Sequence, residues 1–476
     1  MLLECAFVRS AVISLVLALA AAPLCGDTIR LKNGKVIYAD RVREAGGRVE
    51  YERGDDTYAI PRSLVERIEA GGLPAPADAS AHRSDLPAAD LPRLAAEPGA
   101  ADLVARIVRN GSVDAEAVSA LEAQGDARLS AWVNDVAGLH EQERGNLERA
   151  GTLFRRGLSF APENPYLLGH YAALLIKLQR YAEAVPYAER AARRAPDSAD
   201  ALALAGFAYF LADRSRDAVP AWKRSLELRP NDTVRQYLAR AERELAAEAG
   251  FGQQESSHFV LRYEGKESSP TLRRQLLETL ESQFNDLVRQ LDVSPRESIP
   301  VILYTDQAFF DVTQAPSWAD AVNDGKLRIP LQHVETITPE LVRILRHELT
   351  HSFINQATRG RAPQWLHEGV AQALEPRSMQ GRRLARLFAA GQHIPINALE
   401  QSFLKFSGPE AAVAYAESLA AVEYIRQTYG MGDLRRILER IGEGASPEAA
   451  LRATLHSGYA GLEQDLAVWL KKNYGE

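Results

Sequence analysis

A repeat with a period of about 34 residues, the length of one pair of helices, constrains the fold of this chain more than any other feature of its sequence. Five positions recur three times at that spacing, and each set keeps its character. The sets are Pro162, Pro196 and Pro230; Ala150, Ala184 and Ala218; Phe154, Ala188 and Trp222; Gly157, Ala191 and Ser225; and Gly138, Ala172 and Gly206. Small residues let paired helices approach closely, larger apolar residues fill the space between pairs, and proline ends a helix. Residues 131–230 are therefore predicted to form stacked helix pairs.

The pattern resembles the tetratricopeptide repeat, a helix pair that recurs with the same period. The resemblance implies an α-solenoid over residues 101–250, whose last helix, at 232–248, covers the end of the array. It also implies a concave surface that binds peptides or partner proteins. The alternative, that the repeats only space the neighbouring domains, stays open at this point.

Composition excludes several other classes of protein. A length of 476 residues suggests two to four domains, and 46% hydrophobic with 25% charged residues is ordinary for globular domains. This excludes wholesale disorder, collagen-like repeats and a polytopic membrane protein. The net charge of 56 − 63 = −7 gives no support to nucleic-acid binding. Both cysteines, Cys5 and Cys25, lie in the first 25 residues, so a metal site elsewhere must use His, Asp or Glu.

The first 25 residues are predicted to be a signal peptide. Arg9 precedes an uncharged apolar run at 11–24, which is short for a membrane span of about 20 residues but fits a secretory segment. The protein is therefore expected to be exported, to a periplasm or cell envelope. Two alternatives would keep it at a membrane: an uncleaved anchor helix, or lipidation of Cys25. Pro23 and Leu24 stand where a lipidation signal has small residues.

Residues 26–72 are predicted to be a small all-β domain. Asn33-Gly34 lies between two β-prone runs, which is a strong hairpin signal, and Gly46-Gly47 and Gly54-Asp55 mark two more turns. A capping role is favoured over a docking or wall-binding role. Residues 73–100 contain five prolines among alanines and are predicted to be a linker.

The pattern after Gly250 changes to mixed helix and strand. Strands are predicted at 257–265, 299–306 and 325–331, with a helix at 270–291 between the first two. Pro330 marks the last of these strands as an edge strand. Residues 251–476 are thus predicted to be an α+β domain, and its C-terminal part is mostly helical by pattern.

One helix of this domain carries a metal-binding pattern. Thr338 is a good N-cap for it and Pro339 suits the first helical position. Residues 347–351 read His-Glu-Leu-Thr-His, the HExxH pattern, in which residues four apart lie one turn above each other. His347 and His351 can then bind one zinc ion, with Glu348 as general base. Burying two histidines and a glutamate in a helix costs free energy unless a cation compensates them, so one Zn²⁺ per chain is expected.

A third ligand is expected from the helix that Pro363 begins. Glu368 lies within this helix, downstream of His351, and Gly369 and Ala371 would let it pack closely on the first helix. His367 is the competitor and would make a three-histidine site. On a helix its side chain points about 100° away from that of Glu368, so the two are not expected to bind together.

Residues 253–474 resemble the gluzincin metallopeptidases, and in particular the bacterial peptidase MA-like domain that often accompanies tetratricopeptide repeats. The matching segments are SHFVLRYEG (257–265), HELTH (347–351) and WLHEGVAQ (365–372). The resemblance implies a zincin-like fold, with His347, His351 and Glu368 as zinc ligands and Glu348 as base. It also implies that residues 325–331 form the edge strand along which a peptide substrate lies.

Two further roles depend on the same resemblance. Tyr415, in a segment at 414–425 that is similar to a later family segment, is implied as a donor to the oxyanion; the alternative is a core tyrosine. Glu417 and Asp320 are reachable candidates for orienting the histidine ligands.

The expected protein is an exported zinc metallopeptidase, a hydrolase whose repeats recruit a substrate or partner protein. The alternative is a tetratricopeptide-repeat scaffold for envelope protein assembly with an inactive or vestigial peptidase domain. Either way, three domains are expected: a small all-β unit, an α-solenoid and a zincin-like α+β domain.

Overall fold

The fold is given by a computed structural model of the chain. It describes residues 27–32, 36–39, 41–53, 56–69, 91–92, 94, 98–265, 268–313, 321–330, 336–375, 379, 381–403, 406 and 408–475. The predicted signal peptide, most of the predicted linker, and the turns at Asn33-Gly34 and Gly54-Asp55 lie outside these residues. Contacts divide the chain into two compact units, residues 1–74 and 75–476. Within the described part of the chain, no helix is long and apolar enough to cross a bilayer.

The first unit is all β, as predicted, and consists of two antiparallel three-stranded sheets. In one, β1 (Asp27–Leu31) lies between β2 (Val36–Ala39) and β6 (Val65–Glu69); in the other, β4 (Arg48–Arg53) lies between β3 (Arg41–Ala45) and β5 (Asp56–Pro61). Gly46 and Gly47 join β3 to β4 with φ values of 57° and 76°. Two successive positive φ angles make the tight hairpin turn that glycine favours. The core of the unit is the buried trio Ile29, Val49 and Val65.

The repeats fold as helix pairs, as the period predicts. A first helix pair and a short hairpin lead into them: α1 (Ala100–Ile107), β7 (Val108–Arg109), β8 (Ser112–Val113) and α2 (Ala115–Glu122). The pairs and the final helix follow: α3 (Ala127–Glu143), α4 (Leu147–Phe160), α5 (Pro165–Lys177), α6 (Tyr181–Arg194), α7 (Ala199–Leu211), α8 (Ser215–Leu228) and α9 (Asp232–Ala247). A proline stands two residues after the end of each of α4, α6 and α8.

Close packing explains the small residues of the repeat. A methyl group added at Gly138 would lie 2.5 Å from the Phe154 ring, and one added at Gly206 would lie 2.3 Å from the Trp222 ring. Real side chains do not approach so closely, so α3 and α7 must each present glycine where a ring of the following helix lies. In the middle pair the equivalent residues are Ala172 and Ala188, both small.

The second domain is built on a mixed five-stranded sheet. Its order is β12 (Val322–Asn323), β13 (Leu327–Pro330), β11 (Ile299–Tyr304), β10 (Phe259–Tyr263) and β9 (Gly252–Glu255). The three central strands are parallel, and the two outer strands run antiparallel to them.

The prediction that residues 325–331 form the edge strand is wrong for the first half of β13. β12 pairs with Leu327 and Arg328 and so takes the edge position there. Pro330 does not prevent this pairing because it is the last residue of β13, beyond the two residues that β12 covers.

Helices surround the sheet and one of them lies at the centre of the core. They are α10 (Pro270–Leu291), α11 (Asp306–Thr313), α12 (Pro339–Thr358), α13 (Gln364–Leu374), α14 (Gly381–Ala389), α15 (Gly408–Thr428), α16 (Met431–Gly442), α17 (Pro447–Leu455) and α18 (Tyr459–Tyr474). α12 packs against α10, α13 and α16. Its apolar residues Leu345, Leu349, Phe353 and Ile354 are fully buried in the largest core cluster of the domain.

A buried ionic cluster joins the repeats to this sheet. Glu244 of α9 is 2% exposed and accepts hydrogen bonds from Lys326 Nζ (3.0 Å), Arg328 Nη2 (2.7 Å) and Arg240 Nε (3.3 Å). Asp324, beside β12, pairs in turn with Arg328 and Arg240. Although burial opposes its ionisation, Arg328, Lys326 and Arg240 hold the pKa of Glu244 well below its ordinary value. The solenoid and the sheet are therefore one packed body.

The turns within the helix pairs contact the second domain at intervals of one repeat. Gly145, Gln179 and Asp213 occupy equivalent positions in successive repeats, and each has a positive φ (81°, 56° and 60°). Asp213 pairs with Arg262 of β10 and lies 2.8 Å from Lys326 Nζ. With its amide turned to satisfy both neighbours, Gln179 donates to the Asn355 carbonyl (3.1 Å) and accepts from the Gly360 N–H (3.0 Å). A row of equivalent turns thus forms the docking edge of the solenoid.

We expect replacement of Glu244 by glutamine to lower the free energy of unfolding by about 3–5 kcal/mol, because it leaves two buried cations undercompensated. Urea denaturation of the full chain measures this. Glu242→Gln, two residues away, is the matched control: Glu242 pairs with Lys223 at 2.9 Å, but the two side chains are 46% and 56% exposed. That change should cost less than about 0.5 kcal/mol. Equal effects of the two changes would contradict a structural role for the cluster.

Candidate metal centre

The helix α12 begins where the sequence predicts. The Thr338 side chain accepts a hydrogen bond from the backbone N–H of Leu341, and Pro339 occupies the first helical position. Apolar residues on two sides of the helix bury it, and this burial carries His347, Glu348 and His351 into the interior with almost no exposure. The helical period places both imidazoles on one side, with ring centroids 4.8 Å apart.

Helix α13 brings the third predicted ligand to the same place. Pro363 stands at the N-cap position, directly before the first residue of this helix. Glu368 lies within the helix and is fully buried. The expectation that Gly369 lets α13 pack closely on α12 is wrong, because Gly369 faces α15: an added methyl group would lie 2.3 Å from the Ser418 carbonyl oxygen. Only glycine permits this approach, which sets how deeply Glu368 enters the site.

The three predicted ligands converge on one point. Glu368 Oε2 lies 3.5 Å from His347 Nε2 and 3.9 Å from His351 Nε2. The donor atoms of the three residues all lie within 4.8 Å of one another, and no other such group of His, Cys, Asp or Glu occurs in the described part of the chain. Bonds from zinc to nitrogen or oxygen of about 2.0–2.2 Å place two tetrahedral ligands roughly 3.3–3.6 Å apart. The two separations that involve Glu368 meet or approach this value, and a pair of donor atoms 4.8 Å apart would have to move closer by about 1.2–1.5 Å.

The charges around these atoms also fit a cation. His347 Nε2 and Glu368 Oε2 are buried and have no hydrogen-bond partner among the described residues. Burial opposes a charge on His347, but the carboxylates of Glu375, Glu368 and Glu348 raise its pKa to about 10. Two imidazole nitrogens and a carboxylate oxygen that meet in a buried site form a donor set suited to a divalent metal.

Residues behind the ligands orient them. Glu375 Oε1 lies 3.4 Å from His347 Nδ1, and the other oxygen of Glu375 accepts a hydrogen bond from Arg343 Nη1 (2.8 Å). On the other histidine, His351 Nδ1 lies 2.7 Å from His367 Nδ1, and His367 Nε2 lies 3.0 Å from Asn355 Oδ1. A His351 that binds metal through Nε2 keeps its proton on Nδ1, so it donates to His367, which donates to Asn355. His367 thus contacts the far nitrogen of His351 and is not among the three residues whose donor atoms converge.

Two side-chain amides, those of Gln364 and Asn323, donate hydrogen bonds to residues of the site. Gln364 Nε2 donates to Glu368 Oε1 (3.0 Å), which directs the other carboxylate oxygen toward the histidines. Asn323 of β12 is fully buried, and its Nδ2 donates to the backbone carbonyl of Glu348 (2.6 Å) and to Ser352 Oγ (2.8 Å). Asn323 thus ties the edge of the sheet to the helix turn that carries Glu348.

Sequence reasoning missed Glu375, Asn323 and the orienting role of His367. Glu375 follows α13 by one residue and Asn323 precedes an Asp-Gly turn, but neither stands at a distance from HELTH that a motif specifies. The only local signal was His367 itself, which drew notice as a competing ligand. These contacts arise from the packing of separate elements, which spacing does not encode.

The three other predicted residues are Tyr415, Glu417 and Asp320. Tyr415 of α15 is buried, and its burial, with the charges of Glu368 and Glu348, raises its pKa well above the ordinary value. Its ring packs against Phe403. Glu417 does not orient a histidine as predicted: both its oxygens accept from the backbone N–H of Ile394 (3.1 Å), and burial raises its pKa to about 8. Asp320 lies outside the described residues.

Comparison with known proteins identifies the domain around this site. Residues 285–472 match the family model described as Peptidase MA superfamily, so this part of the chain is a domain of that superfamily. The match covers α12, α13 and α15 and therefore every predicted site residue. No curated protein sequence matches the chain.

The repeats are similar to solved tetratricopeptide domains. The first such domain of human RPAP3 is 25% identical over 24% of this chain and 92% of that chain, with a TM-score of 0.23. The first such domain of Spaghetti (RPAP3), solved with the HSP90 peptide SRMEEVD, is 24% identical over 25% and 95%, with a TM-score of 0.24. MamA from Desulfovibrio magneticus RS-1 is 23% identical over 32% and 88%, with a TM-score of 0.26. At these scores the repeat fold rests on the helix pairs and their period.

Replacement of Gly369 by alanine should destabilise the domain by about 1–3 kcal/mol or more, because the new methyl group meets a backbone oxygen of α15 that cannot rotate away. Because α13 must then shift, the affinity of the site for zinc should also fall. Thermal unfolding and zinc titration measure the two effects. Gly432→Ala, in the first turn of α16 where an added methyl group meets nothing within 4 Å, is the control and should be neutral or mildly stabilising. A Gly369→Ala chain with unchanged melting and zinc affinity would contradict the close contact.

Proposed function

We propose that residues 251–476 act as a zinc-dependent metallopeptidase, a hydrolase of the HExxH gluzincin type, with one zinc ion per chain. One observation carries the proposal: donor atoms of His347, His351 and Glu368 converge within 4.8 Å in a buried site. Glu348 adjoins His347 on the same helix turn. A domain of the Peptidase MA superfamily around these residues supports the same chemistry.

His347 and His351, through Nε2, and Glu368, through Oε2, would hold the metal. Zinc so bound polarises a carbonyl group and lowers the pKa of a water molecule toward about 7. The carboxylate of Glu348 serves as general base: it takes a proton from the attacking water and later gives it to the leaving amine. Tyr415 is protonated at neutral pH, as any tyrosine of ordinary pKa is and as a donor to the developing oxyanion must be; burial raises its pKa further.

The substrate is a peptide in extended form, lying along the edge of the sheet next to α12. Asn323 supports this placement because it belongs to the edge strand and holds the backbone of Glu348 at 2.6 Å. An extended peptide adds to a sheet edge through backbone hydrogen bonds, which would bring its scissile carbonyl near the catalytic helix.

The repeats recruit the substrate or a partner protein, and the protein works outside the cytoplasm, in a periplasm or cell envelope. Solenoids of helix pairs commonly present a concave binding surface, which supports recruitment. The apolar run at 11–24 supports export.

The second candidate function is a repeat scaffold for envelope protein assembly with a vestigial peptidase domain. The docking of the repeats through buried Glu244 favours it in one respect, because such an interface would stabilise an assembly with or without catalysis. Intact ligands, base and orienting residues favour the enzyme.

Metal analysis and peptide cleavage by the wild type and Glu348→Gln test the proposal. We expect about one zinc per chain in both proteins, and a cleavage rate at least about 10²-fold lower in the variant, since it keeps the ligands and loses the base. Glu278→Gln is the control, because Glu278 lies on α10 of the same domain and is exposed. Its activity should be unchanged.

Two outcomes would contradict the enzyme. Purified protein that contains no zinc, and whose thermal unfolding is unchanged by a chelator, would overturn the metal site. Stoichiometric zinc without cleavage of any peptide in a diverse library would favour the scaffold.

Tyr415→Phe should lower kcat by about 10²-fold while leaving KM and zinc content unchanged, because it removes only a donor to the oxyanion. Steady-state kinetics with the same peptide measure this. Tyr424→Phe is the control, since Tyr424 is also a buried tyrosine of α15 but packs against Tyr429 and Trp469. If Tyr415→Phe keeps full activity, the residue is a core tyrosine.

A further inference from the structure

The first helices of the repeats line the inner side of the solenoid. α5 packs against α3 and α7, whereas no comparable contact joins α4, α6 and α8, all of which are fully described. Helices that touch side by side form the concave face, and those that spread apart form the convex face. The register of the repeat places Asp135, Gly169 and Ala203 at equivalent positions of α3, α5 and α7. We call the surface around these three residues the inner groove.

The chain's own segment before the repeats lies in the inner groove. A methyl group added at Gly169 would lie 2.7 Å from Leu94 Cδ1 and 3.9 Å from Leu204. Leu94 therefore sits directly on α5. Leu91 packs against the core cluster of α3–α7 and also against that of α7–α9, which includes Ala203. An added methyl group at Gly99 would lie 3.1 Å from Trp132 of α3. Described residues before the repeats thus contact α5, through Leu94, and α3, through Gly99, while Leu91 packs where the two core clusters meet.

The burial of α5 is consistent with an occupied groove. Nine of its thirteen residues are buried, including those on the side away from its partner helix α6. A helix that is buried all round is covered on every side. Recruitment through this face therefore requires that Leu91 and Leu94 leave it.

We propose that the inner groove binds an extended peptide segment with two leucine-sized side chains three residues apart, and that Leu91 and Leu94 fill it until such a partner displaces them. The inference deepens the recruiting role proposed for the repeats and rests on it. An occupant on the same chain competes at a high effective concentration, so it lowers the apparent affinity for any outside segment. The segment thereby selects for partners that bind better than it does.

Two buried polar side chains of the inner groove indicate which group would let a partner bind more tightly than the chain's own segment. Asp135 and His170 are both buried and joined by a 2.7 Å contact between Oδ1 and Nδ1. The other oxygen of Asp135 and Nε2 of His170 have no hydrogen-bond partner within the described part of the chain. A partner with a lysine or arginine shortly after its second leucine would supply a donor to Asp135.

Fluorescence anisotropy with a labelled peptide of residues 89–99 (ADLPRLAAEPG) tests the proposal. The full-length chain with Leu91→Ser and Leu94→Ser should bind it at least about tenfold more tightly than the wild type, because its own segment no longer competes. A peptide with serine at both leucine positions should bind neither chain. Gly169→Leu, added to the double variant, should abolish binding because its side chain fills the place of Leu94. Equal affinity of the wild type and the double variant, or no binding by either, would overturn the proposal.

A second measurement uses only wild-type and Asp135→Asn chains, so it does not depend on the folding of the double variant. Three peptides with a lysine at 95, 96 or 97 are compared with the native peptide. At least one should bind the wild type about tenfold more tightly, and Asp135→Asn should remove that gain. No gain from any lysine would overturn the assignment of a donor-bearing partner. Both measurements are made in the Glu348→Gln background, so that they report on the groove alone and leave the cleavage test independent.

Discussion

The carboxylate of Glu244 holds the two halves of the second unit together, and much of the site depends on it. It belongs to the last repeat helix, yet its partner Arg328 belongs to β13 and its partner Lys326 directly precedes that strand, beside α12. Charges buried this deeply are tolerated only with complete compensation, so the geometry of the cluster is tightly specified. From there a short path leads through Asp324 and Asn323 to the backbone of Glu348. The repeats are in this sense part of the framework of the candidate active site.

The candidate metal centre is held in place by contacts within the protein itself. Each histidine ligand has a partner on its far nitrogen, and the carboxylate ligand has an amide on its far oxygen. Such contacts fix ring orientation and proton position, which reduces the reorganisation that binding requires. The packing of Gly369 against α15 adds a backbone constraint of the same kind. A site prepared in this way is expected of a catalyst and is of little use to a scaffold.

Features that depend on local sequence patterns could be predicted, whereas features that depend on contacts between distant segments could not. The repeat period and the pair His347 and His351 are local patterns, and the structure has the helices where they were expected. Glu368 was reachable because a helix start and small neighbours mark its surroundings. Asn323, Glu375 and the occupant of the inner groove depend on contacts between distant segments, for which one sequence carries no periodic signal. The edge strand was misassigned for a related reason: two residues of β12 are too short a strand to show a pattern.

The turns at Gly145, Gln179 and Asp213 give the solenoid a fixed length. Repeat arrays usually gain or lose whole units easily, because each unit contacts only its neighbours. Here at least two of the equivalent turns bond to different residues of the peptidase domain, Gln179 to Asn355 and Asp213 to Arg262. Removal or insertion of one whole repeat would keep every helix pair intact and still bring the wrong turn to each contact. The number of repeats in this protein is therefore set by the domain on which they dock.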